Sequence, residues 1–208
     1  MIKRIIFDID NTLLDFPKQY EEGYKSVLDK FNVNKTGKEL YKVIGKYETD
    51  GIYNLYNKEK MLELINNEFN TNLNMDFFEE YLNMLNNLEV HVSDSLKDTL
   101  KYLSEKYELV TLSNWFTDSQ IERLKRAGIL KYFTKVYGTD IVPMKPKKES
   151  FLSVIDNLET KECVMIGDNL EVDIKIPYEL GFNVYHLNKF GSTKYPTIRK
   201  IEDLKEML

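Results

Sequence analysis

A short apolar strand at the head of the chain constrains the fold more than any other feature. Residues 3–7 are mostly apolar and include β-branched side chains, and acidic residues and a threonine follow at once. Such a run is predicted to be a buried strand. The next strand-like run comes only at residue 108. A lone strand can bury nothing, so this one must join a sheet built by the far part of the chain.

That far part alternates strand and helix. Ser93 can cap a helix carrying Leu96, Leu100 and Leu103. Residues 108–112 are predicted as a strand, 118–127 as a helix stopped by Gly128, 135–137 as a short strand and 148–158 as a helix. A strand over 162–166, a helix over 171–180, a last strand over 183–187 and a terminal helix over 201–208 complete the pattern. Pro177 can kink or shorten the helix it lies in. Alternation of this kind implies parallel strands with right-handed crossovers. The predicted fold class is α/β, a Rossmann-like parallel sheet core with helices on both faces.

Residues 16–88 follow a different rule. Tyr20, Tyr24, Val27, Leu28 and Phe31 recur at three- and four-residue steps, as do Leu40, Val43, Ile44 and Tyr47. Met61, Leu62, Ile65 and Phe69 repeat the pattern, and Phe78, Tyr81, Leu82 and Leu85 close it. Gly37, Gly51 and Asn-rich pieces separate the runs. The predicted organisation is an α/β core from residues 1–15 and 89–208, with a four-helix insert over 16–88.

Composition narrows the function classes. The 208 residues suffice for one good-sized core or a core with a smaller insert. The hydrophobic share of 42% and charged share of 30% are those of an ordinary globular protein. No apolar run approaches the ~20 residues of a membrane helix. Asp8 comes too early for a signal peptide's apolar region. Cys163 is the only cysteine, so no intrachain disulfide can form. These features lead us to expect a cytoplasmic protein, with no membrane partner and a monomer as the default. Net charge is -5, and the densest basic cluster, Arg123, Lys125 and Arg126, reads as a solvated helix face rather than a nucleic-acid groove. Ala127 is the only alanine, while Lys, Asn, Ile and Tyr abound; we read this as source-genome base composition.

Ligands of open parallel sheets sit at the carboxyl ends of the strands, and polar residues gather there. Asp8 and Asp10 follow the first strand, Ser113 and Asn114 the second; Lys145 lies in the loop after the third, Asp168 follows the next, and Asp173 lies five residues further on. Two carboxylates two residues apart can share a cation, which offsets their repulsion. Magnesium suits such hard oxygen ligands and keeps several waters and substrate oxygens. One carboxylate can attack phosphorus and form an acyl-phosphate. The other can protonate the leaving oxygen and later take a proton from water. Ser113 can hold a phosphoryl oxygen, and Lys145 can neutralise phosphate and nucleophile. Asp168 can complete a metal shell, with Asp173 supporting it.

These residues, in this order, resemble the haloacid dehalogenase superfamily, in the subgroup whose helical cap follows the first motif. The first motif, Asp-x-Asp-x-Thr, is matched by Asp8, Asp10 and Thr12; the second by Ser113 and Asn114; the third by Lys145 with Pro146; the fourth by Gly167, Asp168 and Asp173. The resemblance covers the whole chain. It implies that Asp8 is the nucleophile, Asp10 the acid/base, and that Mg2+ is held by Asp8, the backbone carbonyl of Asp10 and Asp168. It places Ser113, Asn114 and Lys145 on the phosphate, with Thr12 in support. The family's dehalogenases lack the second aspartate, so Asp10 argues for phosphate chemistry. The implied function is a phosphomonoester hydrolase acting on a small metabolite, of nucleotide, sugar-phosphate or phosphoglycolate type, under a closing cap. A phosphotransferase or mutase using the same adduct and a non-catalytic phosphometabolite-binding module are the alternatives.

Each position also has a plainer reading. Ser113 can be a helix cap, Asp173 a first-turn charge, and Lys147 or Lys148 can replace Lys145. Cys163 fits the core. His91 and His186 are expected to be structural and away from the motifs. Tyr20, Tyr24, Tyr47, Tyr53 and Tyr56 fit packing, although one or two could face a substrate. Trp115 stands where many relatives have Gly, and its ring either closes the pocket or packs on a helix or the cap.

Overall fold

A computed structural model describes residues 1–15, 20–49 and 53–208. The predicted break at Gly51 and the predicted start of the insert at residue 16 lie outside the described residues. The chain divides into two compact units, Met1–Asp15 with Val90–Leu208, and Phe16–Glu89.

The first unit holds a six-stranded parallel sheet, β1 (Arg4–Phe7), β2 (Glu108–Ser113), β3 (Lys135–Gly138), β4 (Cys163–Gly167), β5 (Asn183–Leu187) and β6 (Thr197–Ile198). The strands lie in the order β3-β2-β1-β4-β5-β6. The N-terminal strand is therefore central, with Phe7 level with Thr111 of β2 on one side and Ile166 of β4 on the other. Successive side chains point to opposite faces. Ile5 and Phe7 accordingly join one apolar cluster with Leu100, Leu103 and Leu109, while Ile6 joins another with Val110, Phe151 and Met165. Each such buried side chain contributes roughly 1.5–3 kcal/mol. Arg4, near the start of β1, is buried, and its guanidinium lies 2.7 Å from both Glu108 and Asp156.

The helices of this unit are α5 (Asp94–Ser104), α6 (Thr117–Arg126), α7 (Lys148–Leu152), α8 (Lys175–Glu179) and α9 (Leu204–Met207). Ser93 caps α5 as expected, accepting from Leu96 N at 3.1 Å. Gly128, past the end of α6, takes φ +73°, a left-handed value that suits a helix stop. Three helices are shorter than their patterns. α7 stops at Leu152 rather than 158; the Val154 carbonyl accepts from Arg4, and Asp156 turns the chain with φ +50°. The 171–180 helix is a wide π-type turn, Leu170–Ile174, followed by α8, in which Pro177 occupies the first turn where no N–H is needed. The terminal helix begins as a tight turn, Ile201–Asp203. The strand β6 went unpredicted because two residues carry no periodicity.

Cys163 packs in the core, and burial pushes its thiol up to about 11. At pH 8 the native protein should therefore react with a disulfide reagent at less than about a tenth of the rate of the denatured chain. Equal rates would show the thiol to be accessible.

The second unit contains α1 (Tyr20–Lys30), α2 (Gly37–Thr49), α3 (Lys58–Phe69) and α4 (Met75–Asn87). Gly37 does not break a helix; it begins one. Thr36 and Glu39 form a reciprocal cap, Thr36 Oγ1 accepting from Glu39 N at 3.2 Å and Glu39 Oε2 from Thr36 N at 2.8 Å. The Asn-rich pieces also act as caps, Asn57 for α3 and Asn74 for α4. Tyr24, Tyr47 and Tyr56 are buried here, and Tyr53 stacks on Tyr47 at 4.0 Å. Tyr81 donates to the Tyr24 hydroxyl at 3.2 Å, so the tyrosines build this unit's interior.

Among the described residues, no helix is long and apolar enough to cross a membrane.

Candidate active site

The strand order reverses direction between β1 and β4, and a parallel sheet opens a crevice at the carboxyl ends of the strands on either side of such a point. Asp8 leaves β1 there and Asp168 leaves β4. The turn after β1 passes through Asn11 with φ +62°, a conformation asparagine tolerates. This brings Thr12 Oγ1 to accept from Asp168 N at 3.1 Å, which ties the two strand ends together.

Lys145 lies between two carboxylates. Its ammonium is 2.7 Å from Asp8 Oδ1 and 2.6 Å from Asp173 Oδ1, and all three residues are buried. Lys148, in contrast, is exposed on α7. Asn114 fixes the main chain of Lys145 at both polar groups, accepting from its N–H at 2.9 Å and donating to its carbonyl at 2.9 Å. Asp173 Oδ2 accepts from Asn169 N at 3.1 Å, so this residue caps its turn and faces the lysine at once. Gly167 makes that possible, because a Cβ there would lie 2.4 Å from Asp173 Oδ2.

The carboxylate oxygens of Asp8, Asp168 and Asp173 lie within 4.8 Å of one another. Burial pushes the Asp8 carboxyl up to about 7; Lys145 opposes the shift, and the charges of Asp173 and Asp10 add to it. Burial likewise raises Asp168 and Asp173. It works against the ammonium of Lys145, but Asp173 and Asp8 outweigh it and raise this group above the ordinary lysine range. One ammonium cannot neutralise three carboxylates, and with all of them ionised two negative charges are left over. All-oxygen donors with a deficit of two positive charges fit a hard divalent cation.

Asp10 belongs to a different arrangement. Its Oδ1 lies 2.7 Å from Arg123 Nη2, and its Oδ2 accepts from Gln120 Nε2 at 2.9 Å. Gln120 also donates to Ser113 Oγ at 2.8 Å, so Ser113 is no helix cap. The expectation that Arg123 belongs to a solvated face is thereby corrected. It is buried at 5% exposure, because its charge meets Asp10 inside the unit. His186 is also corrected: it is next to the fourth motif, since β5 pairs with β4 with His186 level with Gly167. Its Nε2 is 2.9 Å from the Asp168 carbonyl oxygen. His91 is exposed ahead of α5. Trp115 donates from Nε1 to Ser119 Oγ of α6 at 3.1 Å, which holds the indole against that helix. Beside the cluster, a cavity of about 520 Å³ is lined by Asn11, Asp168, His186 and Phe190, among others.

The family model for haloacid dehalogenase-like hydrolases matches residues 5–186. The chain belongs to that family. Within it, the chain is 25% identical to the HAD-hydrolase YfnB of Bacillus subtilis over 99% of this chain and 95% of that protein. It is 26% identical to glyceraldehyde 3-phosphate phosphatase of Methanocaldococcus jannaschii over 87% of this chain and 82% of the relative. The crystal structure of Bacillus subtilis YfnB, bound to magnesium, superposes with a TM-score of 0.76 at 20% identity, covering 100% and 98% of the two chains. L-2-haloacid dehalogenase of Xanthobacter autotrophicus superposes with a TM-score of 0.69 at 14% identity over 100% and 98%. The haloacid dehalogenase-like fold is thus common to carbon-halogen and phosphate enzymes, and the choice between them falls to individual side chains.

Proposed function

We propose that this haloacid dehalogenase-like hydrolase is a Mg2+-dependent phosphomonoesterase that works through a phosphoryl group on Asp8. The observation that carries this reading is the cluster of three close carboxylates, Asp8, Asp168 and Asp173, with one buried lysine between Asp8 and Asp173. Asp8, Asp168 and the Asp10 main chain are the ligands, with Asp173 in support. When bound, Mg2+ supplies the positive charge that lets an anionic ester approach an anionic nucleophile.

The residues then divide the work. Asp8 attacks phosphorus as the bond to the ester oxygen breaks, and Asp10 gives its proton to that oxygen. Water next attacks the phosphoryl group, Asp10 takes a proton back, and the Asp8 carboxylate is restored. Ser113 and Lys145 hold the equatorial oxygens, where charge is spread. Asp10 separates this chemistry from dehalogenation, which needs no protonated leaving oxygen. The helical unit is assigned the choice of leaving group. Its partner is a small soluble phosphate ester, in keeping with the relative named glyceraldehyde 3-phosphate phosphatase.

A panel of small phosphate esters tests this. Turnover should fall at least about 100-fold on chelation and return with added Mg2+. No turnover of any ester, with or without the ion, would falsify the reading.

A further inference from the structure

Gln120 and Arg123 lie one helical turn apart on α6 and face the sheet. Gln120 is fully buried and Arg123 nearly so. A buried charge is costly unless it is paired and hydrogen-bonded, and two contacts of this guanidinium lead toward the candidate reacting groups. Arg123 Nη2 is 2.7 Å from Asp10 Oδ1, and Nη1 donates to Gln120 Oε1 at 2.8 Å. A guanidinium offers only donors, so the glutamine must turn its oxygen toward it and its nitrogen the other way. That nitrogen then donates to Asp10 Oδ2 at 2.9 Å and to Ser113 Oγ at 2.8 Å.

Two consequences follow from the donor and acceptor roles. Asp10 is approached at both oxygens, by a hydrogen bond from Gln120 at Oδ2 and by the Arg123 charge at Oδ1, which restricts where its carboxylate can turn. The Ser113 oxygen accepts, so its own hydrogen is kept for another acceptor, as a phosphate-holding hydroxyl requires.

We propose that Arg123 and Gln120 are positioning residues that set Asp10 and Ser113 in one geometry, coupling the acid that serves the leaving oxygen to the hydroxyl that holds the phosphate. The inference rests on Asp10 being the acid/base, as proposed above. Gln120 is the shared element, since a single amide nitrogen contacts both partners.

The test is a series of aryl phosphates whose leaving phenols range from weakly to strongly acidic, with Mg2+ present. A strongly acidic phenol departs without help from a proton, and a weakly acidic one does not. Arg123→Met should lower kcat/KM about 100-fold for phenyl phosphate and less than about 5-fold for 2,4-dinitrophenyl phosphate. Arg123→Lys should restore part of the loss, because it returns the charge without the two-pronged grip. Gln120→Met should steepen the same dependence and also raise KM, since Ser113 loses its donor. In an Asp10→Asn background, Arg123→Met should add little further loss, as expected when one residue acts through the other. An equal loss for every ester, or additive losses in the double variant, overturns the proposal while the phosphatase reading stands. Should Arg123→Met fail to fold, the neutral Gln120→Met decides by the same slope. If the unaltered protein hydrolyses no phosphate ester of any kind, the phosphatase reading falls, and this one with it. If it turns over a metabolite ester but no aryl phosphate, the Asp10→Asn and Arg123→Met double-variant comparison on that ester decides, additive losses overturning the proposal.

Discussion

Asp8→Asn should abolish turnover while leaving the fold intact. The amide keeps the shape of the side chain but cannot attack phosphorus, so kcat should fall about 10⁴-fold, or about 5.5 kcal/mol of transition-state stabilisation. Stability should hold or rise. Asp8 is a buried carboxylate pushed up to about 7, and removing its charge relieves Asp168 and Asp173 nearby. The lysine keeps its contact with Asp173 at 2.6 Å. Phosphate release, trapping of the phosphorylated protein by mass, and chemical unfolding check the three parts. A variant retaining more than about a tenth of the activity would exclude Asp8 as nucleophile.

Lys145→Met should damage both activity and stability. The side chain is buried between two carboxylates at 2.7 and 2.6 Å. Taking away the ammonium leaves those charges facing each other without compensation, a change of the kind that costs about 3–5 kcal/mol. Activity should fall about 100- to 1,000-fold, because a donor to the developing phosphoryl charge is lost. Charge logic supplies the control. Adding Asp8→Asn to the methionine variant should recover part of the stability, since one of the uncompensated charges is gone. Added Mg2+ should stabilise Lys145→Met more than it stabilises the unaltered protein. If the double variant is less stable than Lys145→Met alone, the lysine is held by packing rather than by charge.

The fold was largely legible because its signals are local. Apolar runs bounded by polar residues marked β1, β2, β4 and β5 to within about a residue. The α7 helix was overread because its later positions are apolar for the sake of the core, while the Val154 carbonyl is taken by a distant arginine. Gly37 was misread because a glycine after Thr36 resembles a break until the Thr36–Glu39 cap is recognised, and that signature was present in the spacing.

The candidate site was legible in its carboxylates and its lysine, which stand at strand ends. It was not legible in Gln120 and Arg123. Their hint was weak: two hydrogen-bonding residues three apart, on a helix that starts just past Ser113. Charged residues are almost always exposed, so sequence reasoning assigned Arg123 to solvent. His186 was hidden for another reason: it reaches Asp168 across adjacent strands, and strand adjacency is not written in sequence spacing.

By itself, the sequence determined the alternation, the parallel sheet, the helical insert and the order of the acidic stations, because periodicity and strand ends are properties of short stretches. Tertiary structure alone decided which charges meet. Asp8 and Lys145 stand 137 residues apart, and only the crossovers that place β1 between β2 and β4 bring them to 2.7 Å. The same packing buries Arg123 against Asp10. A buried charge finds its partner by position in space, which local pattern does not encode.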